Sequence, residues 1–269
     1  RDAGWVEREE LPDGPRLTTY NIGRGAKGPK GACFATLGAV ADTIALERPD
    51  VVVLQEVHEG DVPVLVDHLL TGHDLDYRAR FAGSLSADDM VRVAERARAR
   101  ALTSGTTFDA DHYADRHSAF GLAVLSRHPL TDVDVVRLPG GGEARIALAA
   151  RTRLADDEVT VVATHLATAR NAERRDEQTR ALLDLAAGCA APVIVAGDLN
   201  QGPEDVAAAL AETGSALVVA NDADEPTLGV RTIDHVLVGP GLDAVASRVG
   251  DEGVSDHRPV TVVLRPHPF

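Results

Sequence analysis

VVATHLATARNAERRDEQTRALLDLAAGCAAPVIVAGDLN, residues 161–200, carries the decisive pattern of this 269-residue chain. The apolar, β-branched run Val159–Thr164 reads as a buried strand. Ala172–Ala187 follows as a helix with arginines and glutamates along one side, and Val193–Ala196 as a second strand. Strand, helix and strand in succession is the pattern of a layered α/β protein. Polar residues stand directly after each strand: His165 closes VVATH, and Asp198 and Asn200 follow VIVAG. Such strand ends are where α/β folds place their chemistry.

The same grammar extends in both directions. Leu17–Asn21 reads as a first strand, and Phe34–Glu47 as an amphipathic helix stopped by Pro49. Val51–Gln55, Gly121–Ser126, Ile146–Thr152, Thr232–Val238 and Val260–Leu264 have strand character. Pro203–Glu212 opens with a proline suited to a first helical turn. Gly140–Gly142 reads as a turn rather than a phosphate loop, because no helix start follows it. Between residues 74 and 118 the pattern weakens into an elaborated loop, with one well-capped helix over Ser86–Leu102. One domain spanning 1–269 is the expected organisation.

Hydrophobic residues at 44% and charged residues at 26% exclude a disordered chain. No apolar stretch reaches the roughly 18 residues needed to span a bilayer, and RDAGWVEREE lacks the pattern of a signal peptide. A soluble monomer is expected, with its compartment open between the cytoplasm and export after loss of a leader. The net charge of −15 disfavours nucleic acid and anionic membranes as partners. Cys33 and Cys189 have no metal-ligand or disulfide pattern and read as small core residues.

The chemistry recurs at strand ends. Asn21 ends the first strand and Glu56 follows VVVLQ. Asp234 and His235 lie in TIDHVLV, and Asp256 and His257 precede RPVTVVL. Carboxylates and amides without cysteine ligands suit a hard cation, Mg²⁺ or alternatively Mn²⁺, rather than zinc. A phosphoryl centre needs a cation, phosphate donors and a group that activates water. All three are in this inventory.

TYN, LQEV, THL, GDLN, IDHV and SDHRPV, in this order, resemble the endonuclease/exonuclease/phosphatase superfamily of metal-dependent phosphoesterases over nearly the whole chain. The resemblance implies a DNase I-like four-layer α/β sandwich, two packed mixed sheets flanked by helices. It implies Glu56 as principal metal ligand, with Asn21 positioning metal-bound water or phosphate and Asp256 near or on the metal. Asp198 would orient the attacking water, and Asn200 would contact phosphate or a second metal position. His165 and His257 would contact the scissile phosphate, with His257 held by Asp234. Either Asp198 or the His257–Asp234 pair would activate the water. Arg175 and Gln178 match a family spacing and read as structural. Two departures stand out: Gly23 replaces an acidic residue found in several nucleases of the superfamily, which favours one metal. Leu122 follows Gly121 where many members carry asparagine.

The remaining candidates weigh toward ordinary surface or core roles. His235 alternates to the opposite face from Asp234. His58 and Glu59 read as exposed loop residues beside the site. Arg24, Arg145 and Arg170 could hold phosphate oxygens, although surface arginine is commoner. Arg92 and Arg96 read as a solvated helix face. Asp109, Asp111 and Asp115 lack the glycine and terminal glutamate of a calcium loop. The expected reaction is hydrolysis of a small or head-group-sized phosphomonoester or phosphodiester. A DNA or RNA nuclease using the same residues is the nearer alternative, and a non-catalytic phosphate- or protein-binding module the more distant one. Aromatics at 3% offer few stacking platforms for nucleic acid.

Overall fold

Val51 to Leu54 alternate in their burial partners: Val51 and Val53 face one core, Val52 and Leu54 another. That alternation is the period-two signature of a strand covered on both faces, and it organises the molecule. The computed structural model describes residues 10–23, 36–105, 118–190, 192–252 and 254–267. Their strands are β1 (Arg16–Asn21), β2 (Val51–His58), β3 (Arg78–Leu85), β4 (Phe120–Ser126), β5 (Thr131–Arg137), β6 (Ile146–Leu154), β7 (Asp157–His165), β8 (Val193–Asp198), β9 (Val218–Val219), β10 (Asp234–Val238), β11 (Leu242–Val249) and β12 (Val260–Pro266). The helices are α1 (Leu37–Ala45), α2 (Asp61–His73), α3 (Ala87–Ser104), α4 (Ala172–Gly188) and α5 (Pro203–Thr213).

The strands form two six-stranded sheets, ordered β11-β12-β1-β2-β4-β3 and β5-β6-β7-β8-β10-β9. Each has one parallel pair at its centre, β1–β2 and β7–β8, and antiparallel neighbours outside it. The sheets pack face to face through Leu17, Val53 and Val262 on one side and Val161, Ile194 and Val236 on the other. The outer face of the first sheet is covered by Val40 and Ile44 of α1 and Leu65 and Leu69 of α2. Leu182 and Leu183 of α4 and Val206 and Leu210 of α5 cover the second. The result is the expected four-layer sandwich. Among the described residues, no helix is long and apolar enough to cross a membrane.

Several elements escape the sequence pattern. Within 74–118, Arg78–Leu85 is an edge strand and Ala87–Ser104 a helix, so this stretch is not loop throughout. α2, β5, β9 and β11 also went unread. β5 is exposed along nearly its whole length and β11 along much of it, so neither alternates between buried and exposed positions. Cys189 is half-buried, with Sγ 3.3 Å from the Leu185 carbonyl, rather than a full core residue. Cys33, Arg24, Asp109, Asp111 and Asp115 lie outside the described residues.

The topology sets where chemistry can gather. The C-terminal ends of both parallel pairs point the same way as the N-terminal ends of β10 and β12. At the opposite end, Ser126 of β4 and Thr152 of β6 share a buried 2.7 Å hydroxyl contact between the sheets.

Candidate active site

Asn21, Glu56, His165 and Asp198 are the last or near-last residues of the four parallel strands, and Asp234 is the first of antiparallel β10. Asp256 and His257 precede β12. All therefore reach one end of the sandwich, and five strands of two sheets supply a common floor. Glu56 leaves the ladder through a β-bulge: the β2–β4 register shifts between Gln55 and Val57, and Glu56 has φ +55°. A left-handed conformation at a residue other than glycine costs about 1–2 kcal/mol. Bulges of this kind re-aim one side chain.

β7 and β8 approach closely because Gly197 has no side chain. A Cβ there would sit 2.0 Å from the Thr164 carbonyl oxygen, and its φ is +153°. This places His165 directly opposite Asp198 in the ladder. The following turn is pinned by the Asn200 amide donating to Asp198 Oδ1 at 2.9 Å and by Asn200 Nδ2 donating to the Leu166 carbonyl at 3.1 Å. Asn200 takes φ +52°, a conformation asparagine tolerates.

Asn21 links the sheets. Its Nδ2 donates to Asp198 Oδ2 at 3.1 Å and to Glu56 Oε1 at 3.3 Å. His257 Nδ1 lies 2.8 Å from Asp234 Oδ2, while its Nε2 lies 3.7 Å from Asp198 Oδ2. His165 Nε2 is 3.4 Å from the same oxygen. The eight residues singled out by motif thus lie on or beside one floor, with Asp256 exposed and Asp198 and Asp234 buried.

Burial and neighbouring charge divide these groups. Asp198 is pushed up to about 7, first by burial and then by the Asp234 carboxylate. Burial alone would lower His257, but Asp234, Asp198 and Asp256 together raise it to about 9. It is therefore an imidazolium at neutral pH. His165 is driven well below its ordinary value by burial, then by Arg145 and His257, and is a neutral imidazole. Glu56 is raised by burial, with Asp256 adding to the effect and Asn21, His257 and Arg145 opposing it.

Asp198, Asp234 and His257 each present an atom within 4.8 Å of the others, a spacing that a metal ion could bridge. Asp234 Oδ2 is already occupied, however, by His257 Nδ1 and by the Thr227 hydroxyl at 2.6 Å. Glu56 and Asp256 provide the more open carboxylates. The Asp256 carboxylate raises the cost of charging Glu56, and a divalent cation would relieve it. Oxygen donors alone match a hard cation, so these residues fit one.

Two residues lie deeper than their sequence context predicts. Arg145 is only 8% exposed and lines the cleft, rather than lying on the surface. Its Nε has no hydrogen-bond partner among the described residues, and its Nη2 is 3.3 Å from Glu143. His58 is 4% exposed and packs against Phe120, with ring centroids 5.2 Å apart, because β2 continues past Gln55. Glu59 is exposed, as are Arg92 and Arg96, and Arg92 pairs with Asp89 at 2.9 Å. His235 turns away from the floor, its Nε2 2.9 Å from the Gln201 carbonyl. Arg175 Nη1 donates to the Asn200 carbonyl at 2.7 Å, and Gln178 bridges the Ala167 amide and Pro139 carbonyl. Thr227 and Ser255 were not read as supports. Ser255 donates to the Asn21 carbonyl at 2.8 Å and accepts from the His257 amide at 3.2 Å. Ser255 lay inside SDHRPV and so was visible, whereas nothing local distinguishes Thr227.

Above the floor opens a cleft of about 750 Å³. Leu85, Met90, Val93 and Phe120 line one side, and Arg145, Arg170, Arg231 and Leu228 also border it.

A family model described as Endonuclease/Exonuclease/phosphatase family matches residues 18–257. No curated protein matches the chain in sequence. Among solved structures, an endonuclease/exonuclease/phosphatase from Beutenbergia cavernae DSM 12333 is 27% identical, with TM-score 0.62, covering 94% of this chain and 71% of that one. The human Nocturnin catalytic domain with bound sulfate superposes with TM-score 0.68 at 18% identity, covering 94% of each chain. A mannosyl-6-phosphatase from Bacteroides thetaiotaomicron VPI-5482 gives TM-score 0.65 at 16% identity, covering 93% of this chain and 99% of that one.

Proposed function

Because the chain belongs to the endonuclease/exonuclease/phosphatase family, whose members are hydrolases of phosphoester bonds, we propose that it is a Mg²⁺-dependent phosphoesterase, a single domain acting on a small or head-group-sized ester. The observation that carries this reading is the pairing, on one floor, of an imidazolium held by Asp234 with a second carboxylate, Asp198, whose affinity for protons is near neutral. Both groups are raised by their surroundings, yet His257 stays protonated at neutral pH while Asp198 lies near its midpoint, so one can donate a proton where the other accepts one.

Glu56, Asn21 and Asp256 would hold the cation, which supplies charge neutralisation at the phosphate and a more acidic water. Asp198 accepts the proton of the attacking water, and its orientation is fixed by the Asn200 amide and the Asn21 side chain. His257 presents its Nε2–H to the charge developing on phosphate, while Asp234 keeps Nδ1 protonated. Neutral His165 and the Asn200 side chain contact the phosphate oxygens. Arg145 adds a buried positive charge at the wall.

Phosphate release and strand cleavage should be measured side by side on small phosphoesters and nucleic acids with Mg²⁺, Mn²⁺, Ca²⁺ or EDTA. Small-ester turnover should vanish with EDTA and fall about 10²–10⁴-fold in Asp198→Asn, the usual scale for losing a general base. In the same protein, Mg²⁺ should raise the melting temperature, and Glu56→Gln should abolish that rise. Metal-independent turnover, or full activity in Asp198→Asn, would overturn the assignment; cleavage confined to nucleic acid would replace its substrate.

A further inference from the structure

The cleft is chemically two-faced. On the side of the first sheet, Leu85 and Phe120 are register partners at the ends of β3 and β4, just beyond a bulge at Gly83–Leu85. Met90 and Val93 lie one helical turn apart on α3 and complete that wall. α3 is anchored beside the cleft by a full capping box, in which the Ser86 hydroxyl accepts from the Asp89 amide and the Asp89 carboxylate accepts from the Ser86 amide. The wall's apolar residues are therefore held by a fixed helix start. Leu122 continues the apolar side downward, lining a small recess with Phe120, Arg145 and His165. The other sheet contributes the polar side, where Arg170 and Arg231 reach the rim from the segments after β7 and before β10.

We propose that this cleft selects phosphate esters of an apolar alcohol: the phosphate rests on the floor and the hydrocarbon lies against Leu85, Met90, Val93 and Phe120. This rests on the phosphoesterase reading and specifies its substrate. A sugar or glycerol group would place hydroxyls against four apolar side chains that offer them no hydrogen-bond partner, whereas an alkyl chain covers the parts of Leu85 and Val93 still open to water. In the reaction, water oxygen forms the new bond to phosphorus, the bond from phosphorus to the alcohol oxygen breaks, and the proton lost by water ends on that oxygen.

The test compares hexyl phosphate with glycerol 1-phosphate and glucose 6-phosphate, all esters of primary alcohols, with Mg²⁺ present. The expected result is a kcat/KM about tenfold or more higher for hexyl phosphate. Val93→Asp, a change at a half-buried helix position, should collapse that ratio toward one. Binding of hexylphosphonate against methylphosphonate, followed by calorimetry in the same two proteins, reads the same selectivity without turnover. A ratio near one in the unaltered protein, or an undiminished ratio in Val93→Asp, overturns the proposal. If no ester is hydrolysed but hexylphosphonate still binds tighter in a Val93-dependent way, the phosphoesterase reading fails and the apolar selectivity stands; equal binding of the two phosphonates sinks the selectivity.

Discussion

Asp198 carries opposed demands. It is buried, near a second carboxylate, and its proton affinity is raised to about 7. A carboxyl whose folded value exceeds its unfolded one contributes stability that is fully present below the unfolded value, near 4, and is lost as pH rises through 7. In the metal-free protein, Asp198→Asn should therefore raise the melting temperature at pH 8 and have little effect at pH 4. Thermal denaturation in EDTA at both values checks this, and equal shifts would contradict it. His257 is also raised, so its contribution is present below about 6.5 and lost as pH rises through about 9. That the candidate residues gather in one place was legible because each falls beside an apolar run and inside a recognisable word such as THL or GDLN. The buried state of Arg145 was not legible, because an isolated arginine beside glutamate reads the same on a surface as in a wall.

At the level of elements, the parallel pair β7–β8 depends on one missing side chain. A Cβ on Gly197 would meet the Thr164 carbonyl at 2.0 Å, so Gly197→Ala must separate the two strands or distort them. The expected cost is at least about 2–3 kcal/mol, with loss of activity because His165 and Asp198 sit at the ends of those strands. Chemical denaturation would measure the first and ester turnover the second; a normal midpoint with normal turnover would refute the argument. Central strands such as β2 and β8 were readable because both faces are buried and the run is almost wholly apolar. Edge strand β5 was not, since the alternation in TDVDV is short, breaks at Val136, and leaves Val133 and Val135 exposed rather than in a core. In α2, Pro63 near the helix start obscured an otherwise helical spacing of Val62, Leu65 and Leu69.

Across the whole molecule, the geometry of the candidate site is a property of how the two sheets sit on each other. Asn21 ends a strand of the first sheet and His257 lies just before β12 of that sheet, whereas Asp198 and Asp234 belong to the second, and the contacts joining them are 3.1 and 2.8 Å. Ile194→Ala, in the core between the sheets, and Leu65→Ala, beneath an outer helix, should each cost about 2–5 kcal/mol. Turnover at a temperature where both variants are folded should fall more for Ile194→Ala, although neither residue lines the cleft; equal losses would show the sheets to be independent of the chemistry. The order of strands has a further consequence. The second sheet is drawn from one continuous stretch, β5 to β10, while the first is assembled from β1–β4 and then β11–β12. During synthesis, β1 waits with one edge unpaired until β12 emerges, and His257 arrives only with it. The strand that closes the open edge of β1 is thus also the one that brings His257 to Asp234, so sheet closure and completion of the floor are a single event.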